Sequence, residues 1–178
     1  FHPGAAVPAR RPTAMHSQAI VAALLSAGHR VILTGSADET TLTGFVAGGA
    51  ADDLGGELSM AELAAVLGRA DVVVAPNTGP AHLAAAVGTP VVSLFAPVVA
   101  ASQWAPYGVP RALLGDQHAP CRDTRTRECT IPDHPCLTSI RPSEVVTAVE
   151  ELRTHSEAAK VATTARAAQA VTKERPWS

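Results

Sequence analysis

The sequence predicts an α/β domain whose sheet is doubly wound and mainly parallel, with helices on both faces, and three observations carry that reading. Short apolar runs such as Val31-Ile32-Leu33-Thr34 and Val91 to Phe95 alternate with helical patterns of about 10 to 15 residues, the rhythm of βαβ units. These runs are predominantly apolar rather than alternating, as expected of strands covered on both faces. Finally, 178 residues with 47% hydrophobic but only 3% aromatic content describe one domain whose core is closely packed Val, Leu, Ile and Ala.

The elements follow in order. Ala14 to Ala27 places apolar residues at helical spacing and stops at Gly28, able to close a helix in the left-handed conformation. Val31 to Thr34 reads as a strand, and Ser36-Ala37-Asp38-Glu39 has capping-box spacing for a helix from Ala37 to about Ala47. Ser59-Met60-Ala61-Glu62 repeats that signal before a helix through Leu67. Asp71 to Ala75 is a buried strand, Gly79-Pro80 opens a helix through Val87, and Val91 to Phe95 is the next strand. Arg111 to Leu114 is a further strand, followed by a long polar loop from Asp116 to Ser139 that holds all three cysteines. Pro142-Ser143-Glu144 starts an amphipathic helix with Val145, Val146, Val149 and Leu152 on its apolar side. Residues 1–153 are read as the domain and 154–178 as an Ala-rich helical or frayed tail.

Several function classes fall away. A formal charge of −2 and so few aromatics leave no electrostatic or stacking footprint for nucleic acid. No apolar run approaches the roughly 18 to 20 residues of a membrane span, and no signal peptide opens the chain, which reads as cytoplasmic. Because the sequence starts at Phe1, immediately before a turn and without Met, it is expected to continue something longer.

The strongest candidate site is Val72 to Ala84, where a strand ends in Asn77-Thr78-Gly79-Pro80 and a helix starts without side-chain bulk. Backbone N–H groups at a helix start attract anions, and Gly79 permits close approach of a phosphate; the plain alternative is a Thr-capped helix with a glycine turn. His82, in the first turn, either faces the same opening or serves as a hydrogen-bonded structural residue, the commoner role of a lone histidine. His2-Pro3-Gly4-Ala5-Ala6 leads to Arg10-Arg11-Pro12, whose arginines are either solvated surface or partners of a diphosphate. Glu39 either closes the capping box with Ser36 or, together with that role, accepts hydrogen bonds from a ribose. Neither G-x-G-x-x-G nor a P-loop occurs. Cys121, Cys129 and Cys136 lack a C-x-x-C pair, so reduced thiols or one disulfide are expected rather than zinc, and no cofactor is implied.

Taken together, His2-Pro3-Gly4-Ala5, Thr34 to Glu39, Asn77 to Pro90, Trp104-Ala105-Pro106-Tyr107-Gly108 and His134-Pro135-Cys136-Leu137 resemble the carboxy-terminal half of the family 9 glycosyltransferases, which include the ADP-heptose:lipopolysaccharide heptosyltransferases. The resemblance covers about residues 1 to 153. It implies one half of a GT-B architecture, a Rossmann-like domain that holds the donor nucleotide-sugar, here ADP-linked. Thr78, Gly79 and Pro80 would line the diphosphate, Glu39 the nucleoside and Arg10 the phosphates, with Asn77 and His82 in the same donor site. Transfer would be inverting and without an obligatory metal. The catalytic base and the glycan or glycolipid acceptor are assigned by the resemblance to an amino-terminal domain, so this chain alone is expected to be inactive, to lie in the cytoplasm or at the inner face of the membrane, and to be prone to homodimerise. Asn77 stands where the family commonly has Asp, Ala96-Pro97 replaces Gly-Pro, and Arg11 stands where a tryptophan usually precedes the proline. Those departures motivate an alternative, a non-catalytic nucleotide-binding or interaction domain of the same fold. A nucleotide-sugar epimerase is a third.

Overall fold

The computed structural model describes residues 1–154; the tail expected over 154–178 lies outside the described residues apart from Thr154, which is helical. Among the described residues, five strands alternate with seven α-helices. The helices are α1 (Ala14–Ser26), α2 (Thr40–Ala47), α3 (Met60–Arg69), α4 (Gly79–Ala86), α5 (Ala101–Trp104), α6 (Pro135–Thr138) and α7 (142–154). The strands are β1 (Ile32–Gly35), β2 (Asp52–Gly55), β3 (Val73–Pro76), β4 (Val91–Leu94) and β5 (Arg111–Leu114). Every pairing among them is parallel: β1 with β2, β3 with β4, and β4 with β5.

The first two residues join these groups into one sheet. Phe1 N–H donates to Ile32 O at 2.7 Å and Thr34 N–H to Phe1 O at 3.0 Å, a parallel bridge to β1. On the other side His2 N–H donates to Val74 O at 3.0 Å, reaching β3. Counting this short strand as first, the sheet reads third, second, first, fourth, fifth, sixth in chain order, the Rossmann arrangement. Its strand order reverses between residues 1–2 and β3, and the crevice there belongs to the turns after His2 and after Pro76.

Side-chain alternation places helices on both faces. Leu33, Val74, Val92 and Leu94 pack with Ile20, Val21 and Leu24 of α1, Val46 of α2 and Val145 and Val149 of α7. Val73, Ala75 and Val91 point the other way, onto Leu67 of α3 and Ala81 and Ala84 of α4. Neighbouring positions of one strand thus feed opposite layers, which is why β3 and β4 are buried at every residue.

Two details depart from the sequence reading. Strand β2 is Asp-Asp-Leu-Gly, a charged edge strand without the usual strand-forming residues, held by pairing to β1 and by the Arg30–Asp52 ion pair at 2.8 Å. The segment expected as one long loop contains α6 and is sewn to the body: Asp116 N–H donates to Cys136 O at 3.0 Å. Gly115 (φ +125°) makes this approach possible, since a Cβ there would lie 2.7 Å from Phe95 O and 3.0 Å from Cys136 O.

Candidate functional site

In a parallel sheet all strands end on one edge, so the turns after β1, the first strand, β3, β4 and β5 face the same side. Three groups of the expected residues stand along that edge, and among the described residues no hydrogen bond or ion pair links one group to another.

The first group centres on Glu39. Its Oε2 accepts Ser36 N–H at 2.9 Å, and Ser36 and Glu39 form the capping box, which here opens the 3₁₀ turn Ala37–Glu39 leading into α2. The carboxylate also occupies the space over Gly4, where a Cβ would collide with Glu39 Oε1 and Cδ. A side chain at position 4 would therefore displace this carboxylate, which remains 18% exposed at the edge.

His2, 6% exposed, lies beside it, with Nδ1 3.1 Å from Thr34 Oγ1 and Nε2 3.7 Å from Glu39 Oε2. Burial disfavours the imidazolium more than Glu39 favours it, bringing the pKa down to about 4. The ring is neutral at pH 7, so the 3.7 Å approach is not an ion pair there. An unfolded His2 protonates near 6.5 and the folded one only near 4. Its contribution is therefore intact above pH 6.5, and about 3 kcal/mol is lost as the pH falls to 4. Urea midpoints at pH 7 and 4.5 are expected to show this loss, and His2→Gln to reduce it. An equal pH dependence in both proteins refutes the assignment.

The second group is the start of α4. Thr78 is extended (φ −143°, ψ 173°) and its hydroxyl makes no capping bond, so the plain Thr-capped reading is not what this turn does. A Cβ on Gly79 would meet nothing within 4 Å. Nothing in the packing requires glycine here. The helix start is a weaker donor array than the sequence suggests, because Pro80 has no N–H and Ala81 N–H turns back to Thr78 O at 3.1 Å. His82 is exposed and has no side-chain hydrogen bond among the described residues, so it is not a structural anchor. Asn77 behaves differently from its neighbours. It is 3% exposed, its Nδ2 donates to Ala96 O at 3.3 Å, and its Oδ1 accepts Ala96 N–H at 3.4 Å. Donor and acceptor are both matched, which ties the end of β3 to the end of β4 and places the amide in the wall of the site.

The third group contains Arg10, at the end of the 3₁₀ turn Pro8–Arg10. Its guanidinium carbon lies 5.2 Å from the ring centroid of Trp104, while its Nε is buried without a partner. Burial, followed by the charge of Arg127, lowers its pKa from the usual arginine value. Arg127 is a residue that the sequence alone does not single out.

Two cavities complete the picture. One of about 290 Å³ lies on the same edge, against Pro97, Ala100, Gln117 and Arg122. The larger, about 580 Å³, opens at the amino-terminal edge of the strands between Phe1, Val31, Val72 and Val149. Ligands of open α/β sheets bind at the carboxyl edge, so we place the site there despite the difference in volume. The loop cysteines are free thiols; Cys136 is pushed up to about 12 by burial and by Cys121, its hydrogen-bonded neighbour, with Cys129 adding to the effect. Among the described residues no group of His, Cys, Asp or Glu is arranged to hold a metal, and no helix is long and apolar enough to cross a membrane.

These features define a doubly wound α/β domain whose strand order reverses between residues 1–2 and β3. The chain belongs to glycosyltransferase family 9 (heptosyltransferase), whose pattern matches residues 1–134. It is 31% identical over 143 residues to lipopolysaccharide heptosyltransferase 3 of Escherichia coli, an alignment covering 75% of this chain and 40% of that protein. Among solved structures it superposes on E. coli ADP-heptose LPS heptosyltransferase II with a TM-score of 0.69 at 20% identity, covering 88% of this chain and 46% of that one. It also superposes on E. coli heptosyltransferase WaaC with ADP, TM-score 0.66 and 21% identity, covering 85% and 43%. The chain thus spans less than half the length of these relatives, and its fold corresponds to about half of a GT-B heptosyltransferase.

Proposed function

We propose that this chain is the donor-binding half of an inverting, heptosyltransferase-like enzyme, and that it holds an ADP-linked sugar across the carboxyl edge of its sheet. The observation that carries the reading is Gly79: an exposed glycine at the strand-order reversal, with no packing reason to lack a side chain, is explained by the close approach of a ligand. The diphosphate lies over Thr78, Gly79 and Pro80 with Arg10 alongside. Glu39, held by Gly4 and Ser36, presents its outer oxygen to the ribose, and His82 flanks the turn. Asn77 supports the turn through Ala96. In transfer the bond from the anomeric carbon to the diphosphate oxygen breaks, and the site's positive groups stabilise the charge that develops on the departing diphosphate. The acceptor, a glycan or glycolipid, and the base that deprotonates it belong to the complementary half of the GT-B fold, at the inner face of the membrane.

Calorimetric titration with ADP, UDP, GDP and AMP tests this. ADP is expected to bind best and AMP about tenfold or more weakly, because it lacks the second phosphate. Equal affinity for AMP and ADP removes the diphosphate assignment. No binding to any of the four favours a domain of this fold without donor chemistry.

A further inference from the structure

On the donor-site reading given above, we propose that Arg127 is a second diphosphate-binding residue, which closes with Arg10 on the phosphates as a paired-guanidinium clamp. The loop that carries Arg127 is fastened to the Arg10 turn on both sides of one residue. Ala9 N–H donates to Arg127 O at 2.9 Å, and His134 Nε2 lies 3.0 Å from Ala9 O. The same loop is tied to the chain leaving β4, through Asp123 N–H to Pro97 O and Arg125 N–H to Val98 O, both 2.8 Å. Asp123, Arg125, Asp133 and His134 all take positive φ, between 50° and 63°, a conformation unfavourable for residues other than glycine. These bonds set the Arg127 backbone directly against the turn that carries Arg10.

This pair is electrostatically incomplete. Arg122 is neutralised by Asp123 at 3.3 Å, whereas neither Arg10 nor Arg127 has an acidic partner among the described residues. Trp104 fixes the Arg10 guanidinium from one face, and Arg10 Nε is buried without an acceptor. Two like charges and an orphaned donor held together are relieved by an anion with several acceptor oxygens. A diphosphate has them, spread over two phosphorus centres, and suits the planar, forked donors of arginine, while a nucleoside monophosphate offers one phosphorus centre for two guanidinium groups.

The chain contains two tryptophans, so Trp177→Phe leaves Trp104, beneath Arg10, as the sole indole reporter. Its emission is followed during titration with ADP, AMP and inorganic pyrophosphate in that background, with and without Arg127→Gln or Arg127→Lys. The Arg127 side chain is exposed, and circular dichroism confirms that each variant is folded. Arg127→Gln is expected to weaken ADP and pyrophosphate about tenfold or more and AMP less than about threefold, with Arg127→Lys recovering part of the loss. Unchanged ADP and pyrophosphate binding, or an equal loss for AMP, overturns the clamp while leaving the donor reading in place. Pyrophosphate binding that depends on Arg127, without any nucleotide binding, keeps the clamp and overturns the donor reading. Absence of any response to all three ligands in the parent overturns both.

Discussion

Gly79→Asp is expected to abolish nucleotide diphosphate binding in a protein that folds as well as its parent. The two effects have opposite signs for the same physical reason. A carboxylate in the first turn of α4 sits at the positive end of the helix, where it contributes up to about 1 kcal/mol in favour of the native state. The new side chain enters open space, since nothing lies within 4 Å of its Cβ position, and Gly79 is not in the left-handed region that would penalise it. Toward a diphosphate the same charge is repulsive at close range and in partly excluded water, which corresponds to about 100-fold or more in affinity. Thermal melting and ADP titration of one preparation measure both. Retained ADP affinity in the folded variant removes the diphosphate from this turn.

Asn77→Asp is expected to act in the reverse way, on stability before binding. The amide gives a hydrogen to Ala96 O and takes one from Ala96 N–H, and a carboxylate can do only the second. Its other oxygen would face a carbonyl at a position 3% exposed, costing about 2 to 3 kcal/mol at neutral pH. Protonation restores a donor, so the deficit relative to the parent shrinks as the pH falls through the range in which the buried acid takes up its proton. Denaturant midpoints of parent and variant at pH 7 and 5 resolve this. A variant as stable as the parent at pH 7 means that the turn accommodates a carboxylate facing outward, as a direct ligand contact requires. The amide thus has a structural function of its own, matching both hydrogen-bonding groups of Ala96.

Much of this domain is legible in its sequence because its signals are local. The capping box of Ser59 and Glu62, the proline at the start of α4 and the largely apolar, fully buried strands β3 and β4 are each decided within a few residues. Strand β2 is not legible, because Asp52 and Asp53 have no strand preference and their pairing is imposed by β1. Within the site, Glu39 and the α4 turn could be found because turn chemistry announces them. The matched amide of Asn77 depends on Ala96, and the neighbourhood of Arg10 depends on a loop more than a hundred residues onward. Contacts of that kind leave no periodicity and no motif.

The two-residue strand at the start of the chain carries a further implication. It alone stands between the β1–β2 pair and the β3–β5 group, and the turn that leaves it runs directly to Gly4 and Arg10. Mechanically it is a keystone rather than an end piece. On the proposed donor-site reading, a ligand that loads this turn would press on both parts of the sheet at once, and its binding would be linked to the cohesion of the whole domain.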